Sequence, residues 1–117
     1  MRRVTAVLGL VVLAGATPAM AAGQHDGLWR VKTSAEAGKC ATNYDFKLSV
    51  KDGKISYAGM WPVKVTGGIN PAGLINMNIA HAGKSVSANG LVRGDSASGD
   101  WQAKAENCTG SWVASRA

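Results

Sequence analysis

The stretch NYDFKLSVKDGKISYAG, residues 43–59, decides the fold class. In its first half Tyr44, Phe46, Leu48 and Val50 alternate with Asp45, Lys47, Ser49 and Lys51, the period of two that puts one set of side chains on a core and the other in water. Asp52-Gly53 follows as a two-residue hairpin turn, because a type I′ turn needs positive φ at both positions. Ile55 and Tyr57 then face inward on the returning strand. This is one antiparallel hairpin with one wet face.

The same grammar recurs along the chain. Trp61, Val63, Val65 and Ile69 mark a further strand, with Pro62 implying an edge, a bulge or the strand start, and NPAG at 70–73 reads as a turn. Ile75, Met77 and Ile79 alternate in the next, Ala82-Gly83-Lys84 turns the chain, and Val86, Ala88, Gly90 and Val92 share a face. GDSASG, residues 94–99, leads to a strand around Trp101 and Ala103, and TGSWVASR closes the series. Helical periodicity is hard to find after residue 22. The 15 glycines and the short, evenly spaced strands predict an all-β, small antiparallel up-and-down barrel of about eight strands, with a β-sandwich as the alternative.

Residues 1–22 read as a signal peptide: Arg2 and Arg3, an apolar run from Val4 to Ala16, then Pro18 and the small-residue pattern Ala19-Met20-Ala21. That run is shorter than the roughly 20 residues a spanning helix needs, and no later segment is continuously apolar. The expectation is a periplasmic or secreted protein, without a membrane span, whose single domain occupies residues 23–117. The whole chain has 13 basic and 7 acidic residues, a net +6 that falls to +4 once Arg2 and Arg3 are removed. The lysines are spread over separate segments rather than gathered in a stripe with interleaved aromatics, so nucleic acid is not an expected partner.

Cys40 and Cys108 are the only cysteines, and in an oxidising compartment they read as one disulfide. In an eight-stranded meander closed first to last, Cys40 follows the first strand and Cys108 precedes the eighth, so closure brings them to one end. A small domain benefits from such a staple; a loop of roughly 70 residues closed by it is worth about 4 kcal/mol in the chain-entropy model.

Three of the four tryptophans stand in one pattern: GLWR at 27–30, GDWQ at 99–102 and GSWV at 110–113. Trp29, Trp101 and Trp112 fall on the first, seventh and eighth strands, which are neighbours only if the sheet closes. With Tyr57 they form either an aromatic core seam or a ligand wall.

Catalytic chemistry is sparse. His25, in a mature N-terminus AGQHDG with the polar character of a loose end, and His81, at a strand end, are the only histidines, so a metal site would need recruited carboxylates. No serine stands in a nucleophile elbow. Asp95 and Asp100 flank a turn, where aspartate serves the backbone, rather than forming a glycosidase-like dyad. Met60, Met77, Tyr57 and His81 have the chemistry of haem ligands, but Met77 and His81 lie about 13 Å apart along one strand by the ordinary rise. Asn107-Cys108-Thr109 matches a glycosylation triplet. No enzyme activity, cofactor or metal is expected from these residues.

The runs DGLWRVKTSAEAGKC, KLSVKDGKISYAG, VKVTGGINPAGLINMNIAHAGKSVSANGLVRGDSASGDW and NCTGSWVASR resemble a family of small exported alphaproteobacterial proteins of unknown function. Some of its members are loosely labelled as haem-utilisation or adhesion exoproteins, a label that carries no site residue with it. Gly-x-Trp near the start of a small barrel is also distantly similar to lipocalins and avidins, and one exported barrel with one disulfide is similar to periplasmic protease and lysozyme inhibitors. The reading that results is a monomeric, non-enzymatic exported barrel binding a small ligand, an envelope component or a partner protein. The alternative is an inhibitor of an extracytoplasmic hydrolase.

Overall fold

The computed structural model describes residues 23–37 and 43–117; residues 1–22, read above as a signal peptide, and Cys40 lie outside them. Eight strands follow in chain order: β1 (Gly27–Ala37), β2 (Asp45–Lys51), β3 (Lys54–Tyr57), β4 (Lys64–Ile69), β5 (Leu74–His81), β6 (Lys84–Arg93), β7 (Ser96–Ala103) and β8 (Cys108–Arg116). Each pairs antiparallel with the next, and β8 returns to β1, so the sheet closes into a barrel. A short 3₁₀ turn, Lys104–Glu106, is the one helical element among the described residues, and no helix there is long and apolar enough to cross a membrane.

Closure works because alternation holds on every wall. Trp29, Val31, Leu48, Val50, Ile55, Val65, Ile75, Met77, Ala88, Val92, Trp112 and Ala114 are buried together, with Phe46, Tyr57, Val63, Ile69, Ile79 and Trp101 packed against them. The intervening residues face solvent. The turns match their chemistry: Asp52 and Gly53 have φ of 51° and 78°, and Ala82 and Gly83 have φ of 52° and 80°. Positive φ at both central residues is the type I′ signature that suits the strand twist. In the β4–β5 turn the Asn70 side-chain oxygen accepts from the backbone N–H groups of Ala72 and Leu74, as asparagine does when it imitates a backbone turn.

The closure is not uniform. The β1–β8, β5–β6, β6–β7 and β7–β8 ladders each run over seven or more residue pairs, whereas β3 meets β4 through the single pair Lys54↔Gly68, helped by the Ile69 N–H donating to the Gly53 carbonyl at 2.8 Å. The connection over that seam, residues 58–63, is the barrel's weakest join and its most apolar exposed loop.

Three expectations need correction. Tyr44 precedes β2 and is 63% exposed rather than inward: its N–H and carbonyl are both bound to Thr33 of β1, but it stands at the rim of the barrel, past the last buried residues of these two strands. Trp61 is 71% exposed: β4 begins only at Lys64, after Pro62 has removed a donor N–H. The segment 23–26 is not loose. It forms a turn in which the Asp26 N–H donates to the Gly23 carbonyl, and it is tied to the barrel by side chains described below.

Ala82 is a residue with a Cβ in a left-handed conformation that asparagine and glycine adopt more readily. Ala82→Asn is therefore expected to raise the stability of the domain by about 0.5–1 kcal/mol. A urea titration followed by far-ultraviolet circular dichroism checks this; a lower midpoint would mean that the methyl group of Ala82 has a packing role.

Candidate functional site

The three Gly-x-Trp repeats build the seam on either side of β8. Antiparallel register sets Gly99 of β7 opposite Trp112 of β8, and Trp101 of β7 opposite Gly110 of β8, so each glycine faces the other strand's indole. A Cβ on Gly110 would lie 2.6 Å from the Trp101 ring and would collide with the Ser34 carbonyl of β1. Across that space the Trp101 indole N–H reaches the Ser34 and Ser111 carbonyls, at 3.2 and 3.1 Å, spanning β7, β8 and β1. Trp112 leans the other way. Its ring comes within 2.6 Å of where a Cβ on Gly90 of β6 would stand, while a Cβ on Gly99 would collide with the Asn89 carbonyl of that strand.

Trp29 closes the third side. It pairs in register with Arg116 of β8, whose guanidinium carbon lies 4.7 Å from the indole centroid. Arg116 also makes an ion pair with Asp95 of the β6–β7 turn at 2.8 Å and donates to the carbonyls of Asp26 and Gln24. The Trp29 indole donates to the His25 carbonyl at 3.0 Å. One arginine thus clasps the N-terminal turn, the first strand and the β6–β7 turn. Gly27 leaves room for it: a Cβ there would sit 3.1 Å from an Arg116 nitrogen.

The consequence for binding is that the barrel interior is filled. Trp29 and Trp112 are 3% and 4% exposed, and the void between them and Leu48, Ile55, Met77 and Val92 is about 30 Å³ and wholly apolar in lining. Small-molecule pockets run to roughly 300–1,000 Å³. The Trp112 indole nitrogen is buried without a hydrogen-bond partner, and a single donor in an apolar void does not hold a water. Tyr57 is half-buried against the core, and its ring backs Gly59 of the following loop.

The remaining chemistry-bearing residues are dispersed. Asp95 is engaged by Arg116, and Asp100 points to solvent from β7. Met77 is buried and 3% exposed, whereas Met60 is 98% exposed on the 58–63 loop, so the two do not share a site. His25 belongs to the N-terminal turn and His81 to the opposite end of the barrel. Among the described residues no three of His, Cys, Asp and Glu come together as metal ligands. Cys108 is buried at the start of β8, where Thr109 pairs with Ala37 at the end of β1; Cys40, the other cysteine of the sequence, lies outside the described residues.

What alternation misread is the outward-facing end of the barrel. Tyr44, Met60 and Trp61 are the most exposed large apolar side chains described, and all three stand at the end formed by the 58–63 loop, the start of β2 and the β5–β6 turn. The loop is held at its base. Ala58 N–H donates to the Lys47 carbonyl, Val63 N–H to the Trp61 carbonyl at 2.7 Å, and the His81 Nδ1–H to the Pro62 carbonyl at 3.2 Å. Its tip is free of the barrel. At the other end, Gly53, Lys54, Ile69, Asn70, Leu74 and Asn89 border an open depression.

The seam makes two substitutions informative. Gly110→Ala should destabilise the domain by about 3 kcal/mol, since the added methyl displaces both the Trp101 ring and a backbone carbonyl. Arg116→Lys should cost about 1–2 kcal/mol, because an ammonium cannot serve the ring, the carboxylate and two carbonyls from one planar fork. Urea midpoints against wild type decide both; an unchanged midpoint for Gly110→Ala would mean that the indole does not cross at this glycine.

Comparison with protein-family models, with curated proteins and with solved structures found no match to this chain.

Proposed function

We propose that this is an exported, non-enzymatic β-barrel that acts by binding through its outer surface, with an envelope component or a partner protein as its ligand. The observation that carries the reading is the filled interior: an indole-sealed core with a void of about 30 Å³ leaves the barrel no room for an internal ligand of lipocalin size. Function then falls to what the barrel displays. The signal-like segment 1–22 and the resemblance to small exported alphaproteobacterial proteins support export and a periplasmic or secreted location.

The Cys40–Cys108 disulfide belongs to the same proposal. The end of β1 and the start of β8 are register neighbours, and Cys40 stands three residues beyond Ala37. The bridge would lock the closing seam from the end opposite the Arg116 clasp. Exported protein is expected to have no titratable thiol, and Cys108→Ser to lower stability by about 4 kcal/mol. Two reactive thiols in native protein would remove the staple from the proposal.

A specific feature favours inhibition of an extracytoplasmic hydrolase as the second reading. The 58–63 loop protrudes, carries Met60 and Trp61 outward, and is fixed at its base by backbone and His81 hydrogen bonds, the preorganisation an inhibitory loop needs.

Titration with the apolar fluorophore anilinonaphthalene sulfonate, followed by quenching of the buried tryptophans, tests surface against interior binding. No stoichiometric uptake into the native barrel is expected, and Trp61→Ala should abolish capture of the ligand from envelope extract. Saturable one-to-one uptake that survives Trp61→Ala would overturn the surface reading.

A further inference from the structure

The charge on this barrel is divided by strand. Between Asp52 and Asp95 the chain has no carboxylate, so β3, β4, β5 and β6 carry Lys54, Lys64, Lys84 and Arg93 with no acidic residue among them. All seven acidic residues lie on the contiguous wall β7–β8–β1–β2 or in its flanking turns, in company with the other basic residues of the domain. The net positive charge expected of the exported form is therefore the charge of one half of the barrel.

Two of its four cations, Lys64 and Lys84, stand at the end that bears the exposed loop, and Lys54 and Arg93 at the other. Met60, at 98% exposure, and Trp61, at 71%, project from residues 58–63; Lys64 opens β4 directly after them, and Lys84 opens β6 opposite His81, whose ring holds the Pro62 carbonyl. Tyr44, 63% exposed, stands on the same rim at the start of β2. The acidic groups of this end are Glu36, Asp45 and Glu106, on β1, β2 and the 3₁₀ turn; Asp45 faces Lys32 across the β1–β2 ladder. On the β4–β6 side of the loop the charged residues at this end are Lys64 and Lys84; on its β2 side, where Ala58 N–H donates to the Lys47 carbonyl, Asp45 lies two residues along the strand.

We propose that this end of the barrel docks onto an anionic lipid bilayer, with Trp61 and Met60 entering the interface and Lys64 and Lys84 resting on the phosphate headgroups. The inference rests on the surface-binding reading and names its partner. Charge complementarity selects the anionic surface. The residue types select lipid over an acidic protein. Aromatic side chains beside lysines are the signature of an interfacial anchor, whereas protein–protein interface cores are depleted in lysine and favour arginine. A tip as bare as Met60 needs no preformed pocket in a bilayer, while a protein partner would have to supply one.

The experiment is co-sedimentation of the mature protein with phosphatidylcholine vesicles, with and without phosphatidylglycerol, alongside tryptophan emission. Binding is expected only with phosphatidylglycerol, weakening as salt rises, with a blue shift that the Trp61→Phe variant loses. Lys64→Glu and Lys84→Glu should each weaken partition roughly fivefold or more. Trp61→Ala and Met60→Ser should weaken it while leaving the circular dichroism spectrum unchanged, and Leu74→Ser and Val113→Ser, at exposed apolar positions elsewhere, should leave partition unaffected. Absence of binding at every lipid composition, or equal loss in the Leu74 and Val113 variants, overturns the proposal. Capture of poly-glutamate with a Trp61 blue shift, and no vesicle binding, overturns it in favour of an acidic protein while leaving the surface-binding reading intact. Interior uptake of the apolar fluorophore would instead remove that reading.

Discussion

The reciprocal placement of glycine against tryptophan across β7 and β8 is the constraint on which this barrel depends. A closed eight-stranded sheet has an interior just wide enough for side chains to fill, and two of the three indoles sit where a glycine stands opposite in register. Gly110 leaves its space to the Trp101 ring, and the Trp112 ring, paired with Gly99, reaches the space left by Gly90 of β6. Slipping β7 against β8 by one residue would set tryptophan against a side chain bearing Cβ and turn the indole of the slipped strand to solvent. Size complementarity therefore fixes register, and register fixes closure.

Energetic weight is concentrated near the chain ends. Trp29, Trp101, Trp112 and Arg116 all act on the β7–β8–β1 wall, whose ladders are long and whose side chains are locked by named donors and acceptors. The opposite wall is built from glycine-containing β4 and the four-residue β3, and it carries the exposed loop. Rigidity on one side and display on the other is a division that binding proteins use: contact residues sit on loops positioned by a stiff frame.

Much of this was legible before any coordinates. Alternation in NYDFKLSVK and the Asp52-Gly53 turn gave strand class and hairpin register, since both depend on local backbone geometry. The Gly-x-Trp repeats fall on the first, seventh and eighth strands, which are neighbours because the sheet closes. The two burial errors arise at the rim. Tyr44 continues the alternation and is bonded to Thr33 of β1, but it stands past the buried core, whereas Trp61 precedes β4, which begins at Lys64. The Arg116 clasp was invisible because it joins residue 116 to residues 24 and 26 through backbone carbonyls, acceptors that every residue supplies and no motif marks. The exposed rim was hidden because apolar type suggested burial, whereas exposure is set by where the packed core of the barrel ends.

The single residue pair joining β3 to β4 gives the closed tube a hinge line. Breathing motions follow the route that breaks fewest hydrogen bonds, so this wall parts first, as a clip opens opposite its spring. Backbone amides along Lys54–Tyr57 and Lys64–Ile69 would then trade their protons for deuterium well before those of β7 and β8, whose exchange waits for global unfolding. The 58–63 loop straddles that line, so any ligand gripping it from both sides would also tighten the barrel, coupling occupancy of the rim to the slowest-exchanging core.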